Sequence, residues 1–278
     1  MRPMQELLDA HPLPDAATGG KDDKGSVVVI GGPPVCPGAV ILTATAALRI
    51  GAGRVRAAVD PAAAVAVAVA VPELAVFGWN QKASPPPELM PCLKTADVVV
   101  MGPGHTQLDD PVVRSTAERT RATLVLDAGA LGSAVPVARS SRVVIAPNPT
   151  EAALLVPLDD PTDDRRDEEQ LARELTAKLG QPVAVRGART VIASDTDAWV
   201  FDDTPPGLGT PGSGDVFVGV LAGLLAGGCP PLPALAWAVQ LHADAGRRLS
   251  ETTPVGYLAS EIAAELPYVR ATSAGSPS

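Results

Sequence analysis

Residues 210–228 read TPGSGDVFVGVLAGLLAGG, two glycines, a serine and one carboxylate ahead of a run that is otherwise small and apolar. Gly227, Gly228 and Pro230 end the run, so it reads as a helix beginning near Ser213. Gly212 and Gly214 leave backbone N–H groups unobstructed at the positive end of that helix, an arrangement that binds anions, phosphate above all. Gly212, Ser213 and Gly214 are therefore the candidate anion hole. Asp215 would repel a phosphate held there, which points to a base that deprotonates a hydroxyl before phosphoryl transfer. An isolated Ser-Gly-Asp is better explained by helix capping, so the rest of the chain must decide.

Working outward, short β-branched runs alternate with helix candidates. SVVVIGG (26–32), ADVVVMGPG (96–104), ATLVLDAGAL (122–131) and RVVIAPNPTEAALL (142–155) each read as a strand, a turn and the start of a helix. GAVILTATAALRIGAG from Gly38 is a helix closed by Gly51 and Gly53, and RVRAAVD resumes as a strand. The pattern implies an α/β fold with a central, mostly parallel sheet covered by helices on both faces. PVAVRGARTVIAS and DTDAWVFDD read as two or three antiparallel edge strands, with RGAR as a turn. Ala62–Val71, alternating Ala and Val between Pro61 and Pro72, is too short to span a bilayer and is expected to be a buried helix or strand. The charged stretch 157–170 is expected to be a solvated loop before the helix LARELTAKLG, and one domain is expected over 1–270 with a disordered tail at 271–278.

Composition narrows the function classes. A chain of 278 residues with 46% hydrophobic content can bury a sizeable core, and only 3% aromatics means that Ala, Val and Leu must fill it. Net charge −9 argues against nucleic acid or an anionic membrane as partner, while backbone donors still allow a small anionic ligand. Cys36, Cys92 and Cys229 are too scattered for a disulfide framework or zinc site, and the first residues lack the apolar core of a signal peptide; a cytoplasmic chain is expected.

In open α/β sheets ligands sit beyond the carboxyl ends of the strands, which selects the turns GGPPVCPG, GPGH, DAGAL, PNPTE and TPGSGD. The last of these resembles the G-[AST]-G-D segment of the ribokinase-like superfamily, in which the Asp is the base. Within it the chain is similar to the ADP- or ATP-dependent NAD(P)H-hydrate dehydratases through KGSVVVIGG, PGAVILTATAALRIGAGRVRAAVDP, VPEL, MGPG, LVLDAGAL and TPGSGDVFVGVLAGLLAGG, over about Lys24 to Pro267.

The resemblance implies a lyase that restores NADH or NADPH from its hydrate, NADHX or NADPHX, by phosphorylating the hydroxyl and eliminating phosphate. It implies Mg²⁺ and ADP or ATP, a homotetramer, and an NAD(P)H-hydrate epimerase on a separate chain. By motif it assigns Asp215 as base; Ala39, Gly102, Gly104, Asn148 and Asp215 to the hydrate; and Arg186, Gly187, Ala188, Arg189, Thr190 and Gly214 to the nucleotide. No residue is assigned as a direct metal ligand, with Glu151 as a water-mediated contact.

Departures from the family pattern leave alternatives open. APNPTE stands where the family has TPHPGE; Pro33, Cys36 and Pro37 alter the glycine loop; Arg186 replaces Lys; and Asp127-Ala-Gly replaces Asp-Ala-Asp. Asn148-x-x-Glu151 also matches the pattern by which ribokinase-like sugar and vitamin kinases organise magnesium and phosphate, so a small-molecule kinase is the second reading. A nucleotide-binding module without catalysis is the third. Asp127 is expected to cap a turn, His105 to be an exposed loop residue, His242 to be packed in a helix and Cys36 to serve packing.

Overall fold

The computed structural model describes residues 1–14, 19–82, 84–158 and 166–273. Its strands are β1 (Arg2–Pro3), β2 (Ser26–Ile30), β3 (Arg54–Val59), β4 (Ala75–Gly78), β5 (Val98–Met101), β6 (Thr123–Leu126), β7 (Val143–Val144), β8 (Val183–Arg186), β9 (Thr190–Ala193) and β10 (Ala198–Phe201). The helices are α1 (Met4–Ala10), α2 (Gly38–Arg49), α3 (Ala64–Ala70), α4 (Met90–Thr95), α5 (Asp110–Ala117), α6 (Ala134–Ala138), α7 (Pro149–Leu155), α8 (Glu168–Leu179), α9 (Ser213–Ala226), α10 (Pro231–Ser250) and α11 (Ala259–Ser273).

Six strands form a wholly parallel sheet in the order β4-β3-β2-β5-β6-β7. Central strands such as SVVVI and VVVM are buried on both faces, which is why they read as continuous apolar runs instead of alternating ones. Val27 and Val29 join one core cluster, with residues of α2, α9, α10 and α11. Val28 and Ile30 join the other, with residues of α5 and α8. The expected α/β class with helices on both faces is what is found.

The expected antiparallel strands β8, β9 and β10 are present but belong to a second, four-stranded sheet, which Arg2–Pro3 completes by pairing parallel to β10. The Arg186 N–H donates to the Pro147 carbonyl at 2.9 Å, linking the end of β8 to the turn after β7.

Three expectations change. Ala62–Val71 contains a helix, but Val67 is its one buried residue among 64–70, and Val65 and Val69 are each 76% exposed. Alternating Ala and Val carries no helical period, so residues four apart share the outward face. Cys36 is exposed, not packed. The C-terminal helix runs to Ser273, so 271–273 are helical, while 274–278 lie outside the described residues, as does 159–165 of the charged stretch. Among the described residues no helix is long and apolar enough to cross a membrane.

Candidate active site

The carboxyl ends of β2, β5, β6 and β7 present the turns that the sequence singled out, and the N-terminus of α9 faces the same region. Gly102, just beyond β5, has φ +113, and a Cβ there would lie 1.9 Å from the Asp127 carbonyl oxygen; only glycine lets these two turns touch. Ala39, in the first turn of α2, is buried against Gly104: a Cβ on the glycine would stand 3.1 Å from that of Ala39. Ala39, Gly102 and Gly104 are thus brought together.

At the other end of the site Gly212 caps α9 in the left-handed region, φ +87, and leads into Ser213, Gly214 and Asp215. Ser213 is 6% exposed. Gly214 lies beside Arg186: an added Cβ would stand in ordinary contact, 3.7 Å from the guanidinium Nη2.

Arg186 is the cationic centre. Its Nε donates to the Ala146 carbonyl at 2.8 Å, and the guanidinium lies over the Phe217 ring, 4.2 Å from the centroid. Burial lowers its pKa, opposed by Asp127, Glu151 and Asp215, which surround it with negative charge. Asp215 is pushed up to about 7, first by burial and then by Asp127, with Arg186 pulling the other way. Asp127 is pushed up to about 6 by burial, and by Glu151 to a smaller extent, against Arg186 and the Ala128 N–H. Asp127 is therefore more than a turn residue: it is a second buried carboxylate whose charge opposes ionisation of the first.

A cavity of about 400 Å³ opens beside Arg186, lined by Gly187, Ala188, Thr190, Phe201, Leu208, Ser213, Phe217, Val239 and His242 among others. Its apolar walls with a few polar groups at one end suit a small organic ligand carrying an anionic group. Four of the five residues expected at 186–190 line it. Arg189 does not: it pairs with Asp167 at 3.1 Å and Glu168 at 3.3 Å, at the start of α8.

Asn148 and Glu151 form a capping box at the start of α7. Asn148 Oδ1 accepts from the Glu151 N–H and Glu151 Oε2 accepts from the Asn148 N–H, both at 2.9 Å. The N-x-x-E pattern therefore forms a helix cap at the start of α7. Among the described residues no group of three or more His, Cys, Asp or Glu side chains is placed to hold one.

Two histidines differ from expectation in instructive ways. His105 is not simply exposed: its Nε2 lies 2.8 Å from Oε1 of Gln81, a buried residue with φ +55 that donates to the Gly31 carbonyl at 2.7 Å. His242 is packed in α10 as expected, but it also lines the cavity. The DAGAL turn is selected by the sequence, but only the fold shows that Asp127, Phe217 and His242 gather around Arg186.

A family profile described as NAD(P)H-hydrate dehydratase matches residues 27–268. The chain belongs to that family. An ADP-dependent (S)-NAD(P)H-hydrate dehydratase from Xanthomonas campestris is 36% identical to it over 94% of this chain and 92% of its own. Among solved structures, a ribokinase-like superfamily protein from Enterococcus faecalis superimposes with a TM-score of 0.82 and 25% identity, covering 97% of this chain and 95% of that one. The ADP/ATP-dependent NAD(P)H-hydrate dehydratase from Bacillus subtilis, co-crystallised with ATP and Mg²⁺, gives a TM-score of 0.79 and 25% identity over 97% of each chain. Membership of the dehydratase family and the ribokinase-like architecture, both expected from the glycine turns and the Gly-Ser-Gly-Asp segment, are thereby established.

Proposed function

We propose that this chain dehydrates (S)-NAD(P)H hydrate to NAD(P)H at the expense of ADP or ATP, with Asp215 as the base. The observation that carries the reading is a part-buried carboxylate with a pKa near 7 in the first turn of α9, beside Arg186 and a cavity of nucleotide size. Such a group is half ionised near neutral pH, which suits a general base. Asp215 takes the hydroxyl proton of the hydrate as its oxygen attacks the terminal phosphorus, releasing AMP from ADP or ADP from ATP. The phosphorylated intermediate then loses inorganic phosphate and a ring proton, and the carbon–carbon double bond of the dihydropyridine is restored.

In this reading Arg186 and the N–H groups of Gly212 and Gly214 hold the phosphate, where they stabilise charge that grows during transfer, while the Ser213 N–H is given to the Thr210 carbonyl at 3.2 Å and Ser213 joins the anion hole through its hydroxyl. Gly187, Ala188 and Thr190 line the nucleotide cavity, and Ala39, Gly102 and Gly104 form the close-packed floor for the hydrate. Mg²⁺ fits as a companion of the nucleotide phosphates, which need only one or two protein carboxylates to share it. Glu151, with one carboxylate oxygen used in the capping box, offers the other through water. When bound, the cation neutralises charge on the phosphates. A homotetrameric assembly and an NAD(P)H-hydrate epimerase that supplies the S form complete the proposal.

Incubation of the folded chain with NADHX, Mg²⁺ and ADP or ATP should regenerate NADH absorbance. A phosphorylated product that persists without elimination would instead support the kinase reading, and nucleotide binding without turnover the inactive one.

A further inference from the structure

One wall of the nucleotide cavity carries a histidine that the reaction above does not use. His242 Nε2 lies 3.1 Å from the Ser213 carbonyl oxygen and 3.1 Å from Ser213 Oγ. A carbonyl oxygen only accepts, so Nε2 must carry the ring proton. A protonated Nε2 has no lone pair, so Oγ at the same distance can only accept from it, and the hydroxyl's own proton is left to donate elsewhere. Among the described residues His242 is the only protein partner of Ser213 Oγ.

The surroundings hold this arrangement in one state. Burial, and secondarily the Arg186 charge, push the His242 pKa down to about 3, so the imidazole is neutral and has a single proton to give. The edge-on contact with Phe217, 5.8 Å between centroids at 89°, sets the ring plane. Ser213 and His242 both line the cavity, and Ser213 opens α9, where the helix end attracts an anion.

We infer that His242 is a positioning residue: by donating from Nε2 to Ser213 it turns the Ser213 hydroxyl into a hydrogen-bond donor for the terminal phosphate of the bound nucleotide. The inference rests on the nucleotide reading of the cavity and deepens it. A donor of this kind distinguishes a nucleotide with a terminal phosphate at the α9 end from one without, which a purely packing histidine would not do.

The test is calorimetric titration of the full chain with ADP and with AMP, alongside hydrate turnover. Ser213→Ala should weaken ADP by about 10-fold or more, the scale of a hydrogen bond to a charged group, and AMP by less than about 2-fold. His242→Leu should do the same, and the double variant should be no more than about 2-fold worse than either single one. His242→Gln, whose amide nitrogen can donate to Ser213, should stay within about 3-fold of the parent for ADP. Equal losses for ADP and AMP, additive effects, or a His242→Gln as weak as His242→Leu would assign the histidine to packing and overturn the inference. Should His242→Leu fail to fold, ¹⁵N spectra of the parent decide: a protonated Nε2 and bare Nδ1 between about pH 5 and about 8 are expected, and the opposite tautomer or a titration in that range overturns it. ADP binding does not depend on hydrate chemistry. A parent inactive on hydrate whose variants still show the ADP-selective loss sinks the dehydratase reading alone, whereas an active parent whose variants bind ADP unchanged sinks this one alone.

Discussion

Asp215 and Asp127 share the charge of one arginine, and burial raises the pKa of both. A helix cap would serve as well with Asn as with Asp. A base would not. Asp215→Asn should leave folding and ADP affinity near the parent values while cutting turnover by roughly 10²-fold or more; activity within a few-fold of the parent would return the residue to a capping role. The pair also has a pH signature. With folded pKa values near 7 and 6 against about 4 unfolded, the native state holds protons between about pH 4 and 7 that the unfolded chain has released. Stability therefore falls as pH rises through that window and remains lower above it. Asp127→Asn removes one of the two buried charges, so its melting temperature should exceed the parent's by a few degrees at pH 8, with the gap closing toward pH 4. The same substitution takes away a charge that raises Asp215, so the lower limb of the pH–rate profile should move to lower pH. A limb that stays in place would show that the carboxylates do not interact.

At the scale of elements, the position of Asp215 depends on how closely α9 approaches α2. A Cβ on Gly219 would meet the Thr43 carbonyl oxygen at 2.3 Å and the Ala46 Cβ at 2.7 Å. Alanine gains about 1 kcal/mol in helix propensity at such a site, but the overlap is with backbone and cannot be relieved by a rotamer. Gly219→Ala should therefore lose about 1–3 kcal/mol by denaturant unfolding, and a neutral result would mean that the helices can part without cost. In the same contact Thr43 is fully buried and, among the described residues, has no partner for Oγ1, so Thr43→Val should be neutral or stabilising by about 1 kcal/mol. These elements were largely legible in the sequence, because strands buried on both faces and glycine-closed turns are local signals. The glycines that close the turns, and the place of Asp215 in the first turn of α9, were legible for the same reason. What was not legible depends on contacts distant in sequence: Arg2–Pro3 becomes a strand only by pairing with β10, and Asp127 becomes a site residue only when the fold sets it beside Arg186. Asn148 and Glu151 show that one motif can serve two ends, since the pair that matches a metal pattern in sequence also caps α7.

For the whole molecule, both core clusters run through both sheets, so the two sheets should unfold as one body. Ala184 and Ile192 of the antiparallel sheet pack in the same cluster as Val27 and Val29 of the parallel one, and Val183, Val185 and Val191 pack with Val28 and Ile30. The proposed nucleotide site lies across that junction, taking Arg186 and Thr190 from β8 and β9 and Ser213 from α9, a helix that packs against the parallel sheet. A ligand bound there stabilises both sheets against unfolding as a unit. Thermal unfolding should show one transition, and ADP at about 100 times its Kd should add about 2.7 kcal/mol of stability. AMP at a matched multiple of its own Kd should shift the transition equally, since linkage depends only on occupancy. A second transition that ADP leaves in place would show that the β8–β10 sheet unfolds by itself, and the site would then be assembled from two independently stable parts.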